Sequence, residues 1–114
     1  MPFIETKTSK TITKEEEKTL VKKLGELVSI FKGKSERWLM LNFVDGERMS
    51  FSGRSDIDSA IVSVELFGSA SEGEYSSFTE AVTKLISETL SLPKDRIYVK
   101  YSEYKTWGYN GENF

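Results

Sequence analysis

Glu36-Arg37-Trp38-Leu39-Met40-Leu41 and Asp95-Arg96-Ile97-Tyr98-Val99-Lys100 are two versions of one pattern: an acid, an arginine, then a run with strand character. Upstream of the first lies a helical stripe, Leu20, Val21, Leu24, Leu27, Val28 and Phe31, at the spacing that puts apolar side chains on one face. Thr11 and Thr13 offer N-cap oxygens for it, Glu15, Glu16 and Glu17 load its first turn with negative charge, and Gly33 stands where a C-cap belongs. Before that helix, Phe3 to Thr8 alternates apolar and polar residues as a strand does. Upstream of the second pattern, Phe78, Val82, Leu85, Ile86, Thr89 and Leu90 form another stripe, stopped by Pro93. It follows a strand at Ile61–Phe67 and a polar loop from Gly68 to Glu74. The sequence is thus a duplicated strand–helix–strand unit, with halves at about 1–55 and 56–114 of one domain spanning 1–114.

The details between these landmarks complete the expected fold. Trp38–Val44 reads as a strand, with Trp38, Met40 and Val44 on one face and Leu39, Leu41 and Phe43 on the other. Asp45-Gly46 is a strong hairpin turn into Arg48-Met49-Ser50-Phe51. Ile97–Tyr101 is the last long strand, and the tail from Trp107 to Phe114 is rich in glycine and asparagine. Two units with right-handed crossovers give an α+β fold: one four-stranded mixed sheet with both helices on one face. Because these strands read as apolar on both sides, the helix-free face is expected to be covered by oligomerisation.

Composition removes most catalytic chemistries. There is no cysteine and no histidine, so disulfides, thiolate nucleophiles, imidazole-based triads and the usual zinc sites are excluded. Sixteen basic and eighteen acidic residues leave a net charge of −2, which argues against nucleic-acid binding. No apolar run is long enough to cross a membrane, and no signal peptide is legible at the N-terminus, so a cytoplasmic location is expected. Proton transfer near neutral pH then falls to a perturbed carboxylate, lysine or tyrosine, or to the α-amine, whose ordinary pKa is roughly 7.7–8.0. The glutamates at 15–17 read as a solvated helix face. No phosphate loop, EF-hand or metal-spaced carboxylate cluster occurs.

Six short motifs run in order along nearly the whole chain: Met1-Pro2-Phe3-Ile4, Gly33-Lys34, Phe51-Ser52-Gly53, Leu66-Phe67-Gly68, Asp95-Arg96-Ile97-Tyr98-Val99, and Gly108-Tyr109-Asn110-Gly111-Glu112-Asn113-Phe114. Each is weak alone; in register they make the chain resemble the tautomerase superfamily, in its branch of macrophage migration inhibitory factor and D-dopachrome tautomerase. The resemblance implies a homotrimer whose sheets form a barrel, sites at subunit interfaces, no cofactor, and keto–enol tautomerisation of aromatic 2-keto acids such as phenylpyruvate, or of dopachrome-like compounds. It implies that Pro2, freed by removal of Met1, is the acid–base catalyst; with Met1 retained, Pro2 is an amide and no such base exists. Burial among Phe3, Trp38, Trp107 and Tyr109 would lower the pKa of that amine.

By the same resemblance Lys34 binds the substrate's carboxylate or carbonyl oxygen, assisted by the backbone amide of Phe67, and further depresses the amine. Tyr98 reaches a neighbouring subunit's pocket near Pro2. Trp38, Trp107, Tyr109 and Phe114, which read plainly as core or tail anchors, form apolar walls for an aromatic ring; Phe114 fits substrate contact and packing on a neighbouring subunit equally. Lys100 replaces an asparagine of vertebrate members and shares a strand face with Tyr98, and Ser59 and Val62 stand where some animal members have a Cys-x-x-Cys pair. Two other readings stay open: a cytokine-like signalling protein on the same fold, with a protein receptor and non-classical secretion, or altered chemistry on unsaturated acids. The second would call on Arg37 and Arg96, which otherwise read as ordinary residues preceding strands.

Overall fold

Both helices begin with the same device. The Thr13 hydroxyl accepts from the Glu16 amide at 3.1 Å, and the Glu16 carboxylate accepts from the Thr13 amide at 3.0 Å. Ser71 and Glu74 repeat this at 3.1 and 2.8 Å. Each reciprocal pair satisfies orphan donors of a first turn. A computed structural model describes residues 1–114: β1 (Pro2–Thr8), α1 (Lys14–Leu27), β2 (Met40–Val44), β3 (Ala60–Phe67), α2 (Glu72–Leu90), β4 (Ile97–Tyr104), β5 (Gly108–Tyr109) and β6 (Glu112–Asn113). Short 3-10 turns lie at Val28–Ile30, Glu36–Trp38 and Lys94–Arg96.

The sheet order is β2-β1-β3-β4. β1 pairs parallel with β2 and antiparallel with β3, and β3 pairs parallel with β4. Alternation along β1 and β3 turns Ile4, Val62, Val64 and Leu66 toward the helices, where they are buried. Leu20, Leu24, Phe78, Val82, Ile86 and Leu90 meet them from α1 and α2. Phe31 stacks on Phe78 at 4.8 Å between ring centroids and seals one end of this layer. No helix is long and apolar enough to cross a membrane.

Several local expectations are corrected. The strand expected from Trp38 begins at Met40, because Trp38 and Leu39 donate back to Ser35 and Glu36 in the preceding 3-10 turn. Asp45-Gly46 does turn, with Gly46 at φ +64°, but builds no hairpin. The Asp45 carboxylate accepts from the Ile12 amide, while Gly46 and Glu47 donate to Lys10 and Thr8, so the chain is tied to the loop after β1. Arg48–Phe51 is accordingly no strand; only an isolated bridge joins Phe51 to Arg54. α2 starts at Glu72, inside the expected polar loop, because Ser71 caps it. β4 continues to Tyr104. α1 ends at Leu27, and Gly33 (φ +79°) serves the later turn closed by Lys34 on Phe31. Val21 falls off the buried stripe, 42% exposed.

The helix-free face is the largest correction. Across the sheet its rows are Met40–Phe3–Glu65–Ser102, Asn42–Glu5–Ser63–Lys100 and Val44–Lys7–Ile61–Tyr98. Charged and polar residues interrupt every row, so the face is not the continuous apolar surface expected. The apolar residues of β2 and β4 that suggested one, Leu41, Phe43 and Val99, turn toward the core.

Candidate active site

The start of β1 opens into a cavity of about 530 Å³, within the usual range for a small-molecule site. Pro2 is buried there and Phe3 half-buried. One wall comes from the connection between α1 and β2, where the 3-10 turn places Arg37 and Trp38 at the rim. That turn runs against α1 at Gly25, where the Glu36 carboxylate occupies the space a Cβ would take.

The opposite wall is the tail. Asn110 and Gly111 both have positive φ, 53° and 83°, the signature of a two-residue type I′ hairpin turn. It pairs Gly108 with Asn113 and Tyr109 with Glu112, and the Phe114 amide donates to the Trp107 carbonyl at 2.9 Å. Tyr109 meets the edge of Trp38 at 5.1 Å and stacks near Phe114 at 6.4 Å, and Phe114 lies 5.9 Å from Phe67. A chain of aromatic contacts therefore runs from Trp38 at the cavity through Tyr109 and Phe114 to Phe67 at the end of β3.

Polar groups converge beside the N-terminus. The Phe67 amide donates to the Met1 carbonyl at 3.1 Å, and Lys34 Nζ donates to the Phe67 carbonyl at 2.8 Å. Burial, and then the Lys34 charge, hold the Met1 α-amine below its ordinary pKa. An amine at this end of β1 is thus poised toward its neutral form, which can accept a proton.

Among the residues singled out from sequence, Pro2, Phe3, Trp38, Trp107 and Tyr109 line one cavity. Lys34, Phe67 and Phe114 adjoin it through the contacts just described. Tyr98 and Lys100 do not: β4 lies two strands from β1, and Tyr98 is in register with Ile61 and, through it, with Lys7 at the far end of β1. Tyr98 instead packs on Phe51 at 4.8 Å. Other lining residues, Arg37, Leu39, Met40, Glu65 and Gly108 among them, are not assigned to this site by the sequence. Arg37 was legible as a residue preceding a strand, or as a cation for altered chemistry on unsaturated acids, and Glu65 only as a strand residue; the parallel β1–β2 and antiparallel β1–β3 registers bring Phe3, Met40 and Glu65 together. No three His, Cys, Asp or Glu side chains cluster to hold a metal.

Comparison with known proteins agrees with this geometry. The sequence profile described as macrophage migration inhibitory factor matches residues 1–114. A macrophage migration inhibitory factor homolog of Brugia malayi is 27% identical over 96 residues, 82% of this chain and 83% of that one. The crystal structure of Leishmania major MIF2 superposes with a TM-score of 0.93 at 31% identity, covering 100% of this chain and 97% of its own. The macrophage migration inhibitory factor homologue from Prochlorococcus marinus gives 0.82 at 28% identity, covering 98% of each chain.

Proposed function

The chain belongs to the macrophage migration inhibitory factor family, and from that premise we propose that it is a cofactor-independent keto–enol tautomerase of phenylpyruvate or dopachrome type, with the Pro2 amine as acid–base catalyst. The observation that carries this reading is the position of the β1 terminus: it lies in an aromatic cavity whose surroundings depress an α-amine. Removal of Met1 would convert the Pro2 nitrogen from an amide into a rigid secondary amine. It would also release the Phe67 N–H from the Met1 carbonyl. A base, a backbone donor and the Lys34 ammonium would then face the same space.

In the forward step the Pro2 nitrogen takes a proton from the carbon beside the substrate's carbonyl. The C–H electron pair forms the carbon–carbon double bond, and the carbonyl π pair moves onto oxygen. The Phe67 N–H and Lys34 stabilise the charge that develops there, and the proton is returned to that oxygen. Trp38, Trp107 and Tyr109 hold the aromatic ring.

The functional assembly we propose is a homotrimer. β2 and β4 are both unpaired edges, which soluble proteins generally cover. Tyr98 and Lys100, remote from the cavity of their own chain, would serve a neighbour's. The test is Pro2→Gly, with intact-mass measurement to establish Met1 removal: a free amine remains but the pyrrolidine is lost. Phenylpyruvate tautomerisation is expected to fall roughly 10²–10⁴-fold, the usual contribution of general acid–base catalysis. Activity within about twofold of wild type, or a 13.0 kDa monomer in sedimentation velocity, would overturn the catalyst or the assembly respectively.

A further inference from the structure

The two arginines of the repeated pattern have opposite fates. Arg96 is buried and fully engaged: its guanidinium donates to the carbonyls of Phe51 at 3.0 Å, Arg54 at 3.0 Å, Ile57 at 2.9 Å and Asp58 at 3.3 Å. It also lies 5.2 Å over the Phe51 ring. Arg37 has no hydrogen bond and no ion pair; its guanidinium sits 4.9 Å over the Trp38 indole at the cavity rim. Trp38 is itself held by the edge contact with Tyr109, so the surface under Arg37 is anchored by the C-terminal hairpin.

A guanidinium covered on one face by an aromatic ring keeps its N–H donors in its own plane, where they match the two oxygens of a carboxylate. Lys34, the neighbouring cation, already donates to the Phe67 carbonyl. Glu65 lines the same cavity without a salt-bridge partner, so an anionic ligand entering there meets repulsion unless a cation receives it. We propose that Arg37 is the residue that anchors the substrate's carboxylate and makes this cavity select acids over neutral compounds of the same shape. The proposal rests on the tautomerase reading, and it divides the work between the two cations: Lys34 at the carbonyl oxygen, Arg37 at the carboxylate.

Trp38 and Trp107 are the chain's two tryptophans and both line the cavity, so their emission reports binding without requiring turnover. The purified protein is titrated with 3-phenylpropanoate and with 3-phenylpropanamide, in wild type, Arg37→Gln and Arg37→Lys. Arg37→Gln is expected to weaken the acid roughly tenfold, between the worth of an exposed pair and that of a desolvated charge-assisted bond, and to change the amide less than about twofold. Arg37→Lys should fall between. With phenylpyruvate the same variant should raise KM and leave kcat nearly unchanged, whereas its methyl ester is unaffected. Equal weakening of acid and amide would reduce Arg37 to wall packing and overturn the proposal, as would no change in either or no acid preference in wild type. If turnover is absent but the acid preference follows Arg37, the anchor stands and the proposed reaction fails. If turnover depends on Pro2 while the preference ignores Arg37, the reaction stands and the anchor fails.

Discussion

The two strand–helix–strand units start alike and finish differently. Each helix is opened by a reciprocal cap, and each unit closes with a parallel pair, β1 with β2 and β3 with β4. In the second unit α2 stops sharply: Ser91 adopts a left-handed conformation at φ 57°, the Leu92 amide donates to the Ser87 carbonyl, and after a short 3-10 turn β4 begins at Ile97. Leu92 and Arg96 are buried within that connection. In the first unit α1 trails into a 3-10 turn, and residues 31–39 wander before β2 begins at Met40. That slack carries Arg37 and Trp38 to the cavity, and Lys34 beside it, instead of to the core. A taut connection yields scaffold; the longer one, hung on the same frame, yields a wall of the cavity.

The sharpest way to break this contrast is to remove each arginine in turn. Arg96→Met deletes the donor for four carbonyls and is expected to lower the unfolding free energy by roughly 3 kcal/mol. Arg37→Met should stay within about 0.5 kcal/mol. Urea denaturation at matched protein concentration measures both, and equal costs would show the two connections to be energetically alike.

Next in size come the lysines of the two connections. Lys34→Gln is expected to lower kcat/KM by roughly 10- to 100-fold, the worth of a hydrogen bond to a charged group, while Lys94→Gln leaves it unchanged. The sign of the accompanying pH effect follows from the electrostatics: Lys34 depresses the Met1 amine, the same charge would act on a Pro2 amine freed beside it, and its loss is expected to raise that amine's pKa. The limb on which activity rises as the amine loses its proton should therefore move to higher pH. A limb that stays in place or moves down would break the link between Lys34 and the base.

Smaller effects test where the units agree. Thr13→Ala and Ser71→Ala should each cost about 1 kcal/mol of stability, and a strong inequality would mean that the two caps are not equivalent. Smallest is the acid response. Backbone donors hold the carboxyls of Glu16 and Glu74 below their ordinary pKa, from Thr13 for the first and from Lys32 and then Ser71 for the second. Their contribution is present above the ordinary value and is lost as pH falls through the lowered one. Glu74, whose carboxylate also accepts from the Lys32 amide at 2.6 Å, ties the first unit's connection to α2. Glu74→Gln should therefore blunt acid destabilisation more than Glu16→Gln, read from thermal melts between neutral pH and pH about 3, below the ordinary carboxylate range.

Much of this was legible from residues close together in the chain. The Leu20–Phe31 and Phe78–Leu90 stripes, the alternation along Phe3–Thr8 and Ile61–Phe67, and the Thr13 cap of α1 are patterns completed within a few turns or strand repeats. The Asn110-Gly111 hairpin is equally local, yet the tail reads only as rich in glycine and asparagine, and its turn comes from the structure. Asp45-Gly46 carried the same kind of signal and misled, because the partner that decides its role is the Ile12 amide, far back in the chain.

For the site, the sequence alone narrowed any proton carrier acting near neutrality to a few groups, since a chain without histidine or cysteine has little else that titrates there. Fold class and helix faces were also set at that level, because periods of 3.6 and 2 are imposed by backbone geometry over short stretches. Only the tertiary structure decided that Trp38 leaves its strand to meet Tyr109, that the tail closes over the end of β1, and that Tyr98 and Lys100 lie away from their own chain's cavity. It alone separated Arg37 from Arg96. Two arginines in nearly the same local sequence differ in the carbonyls that distant loops bring to one and withhold from the other, and such long-range partners leave no mark on the residues nearby.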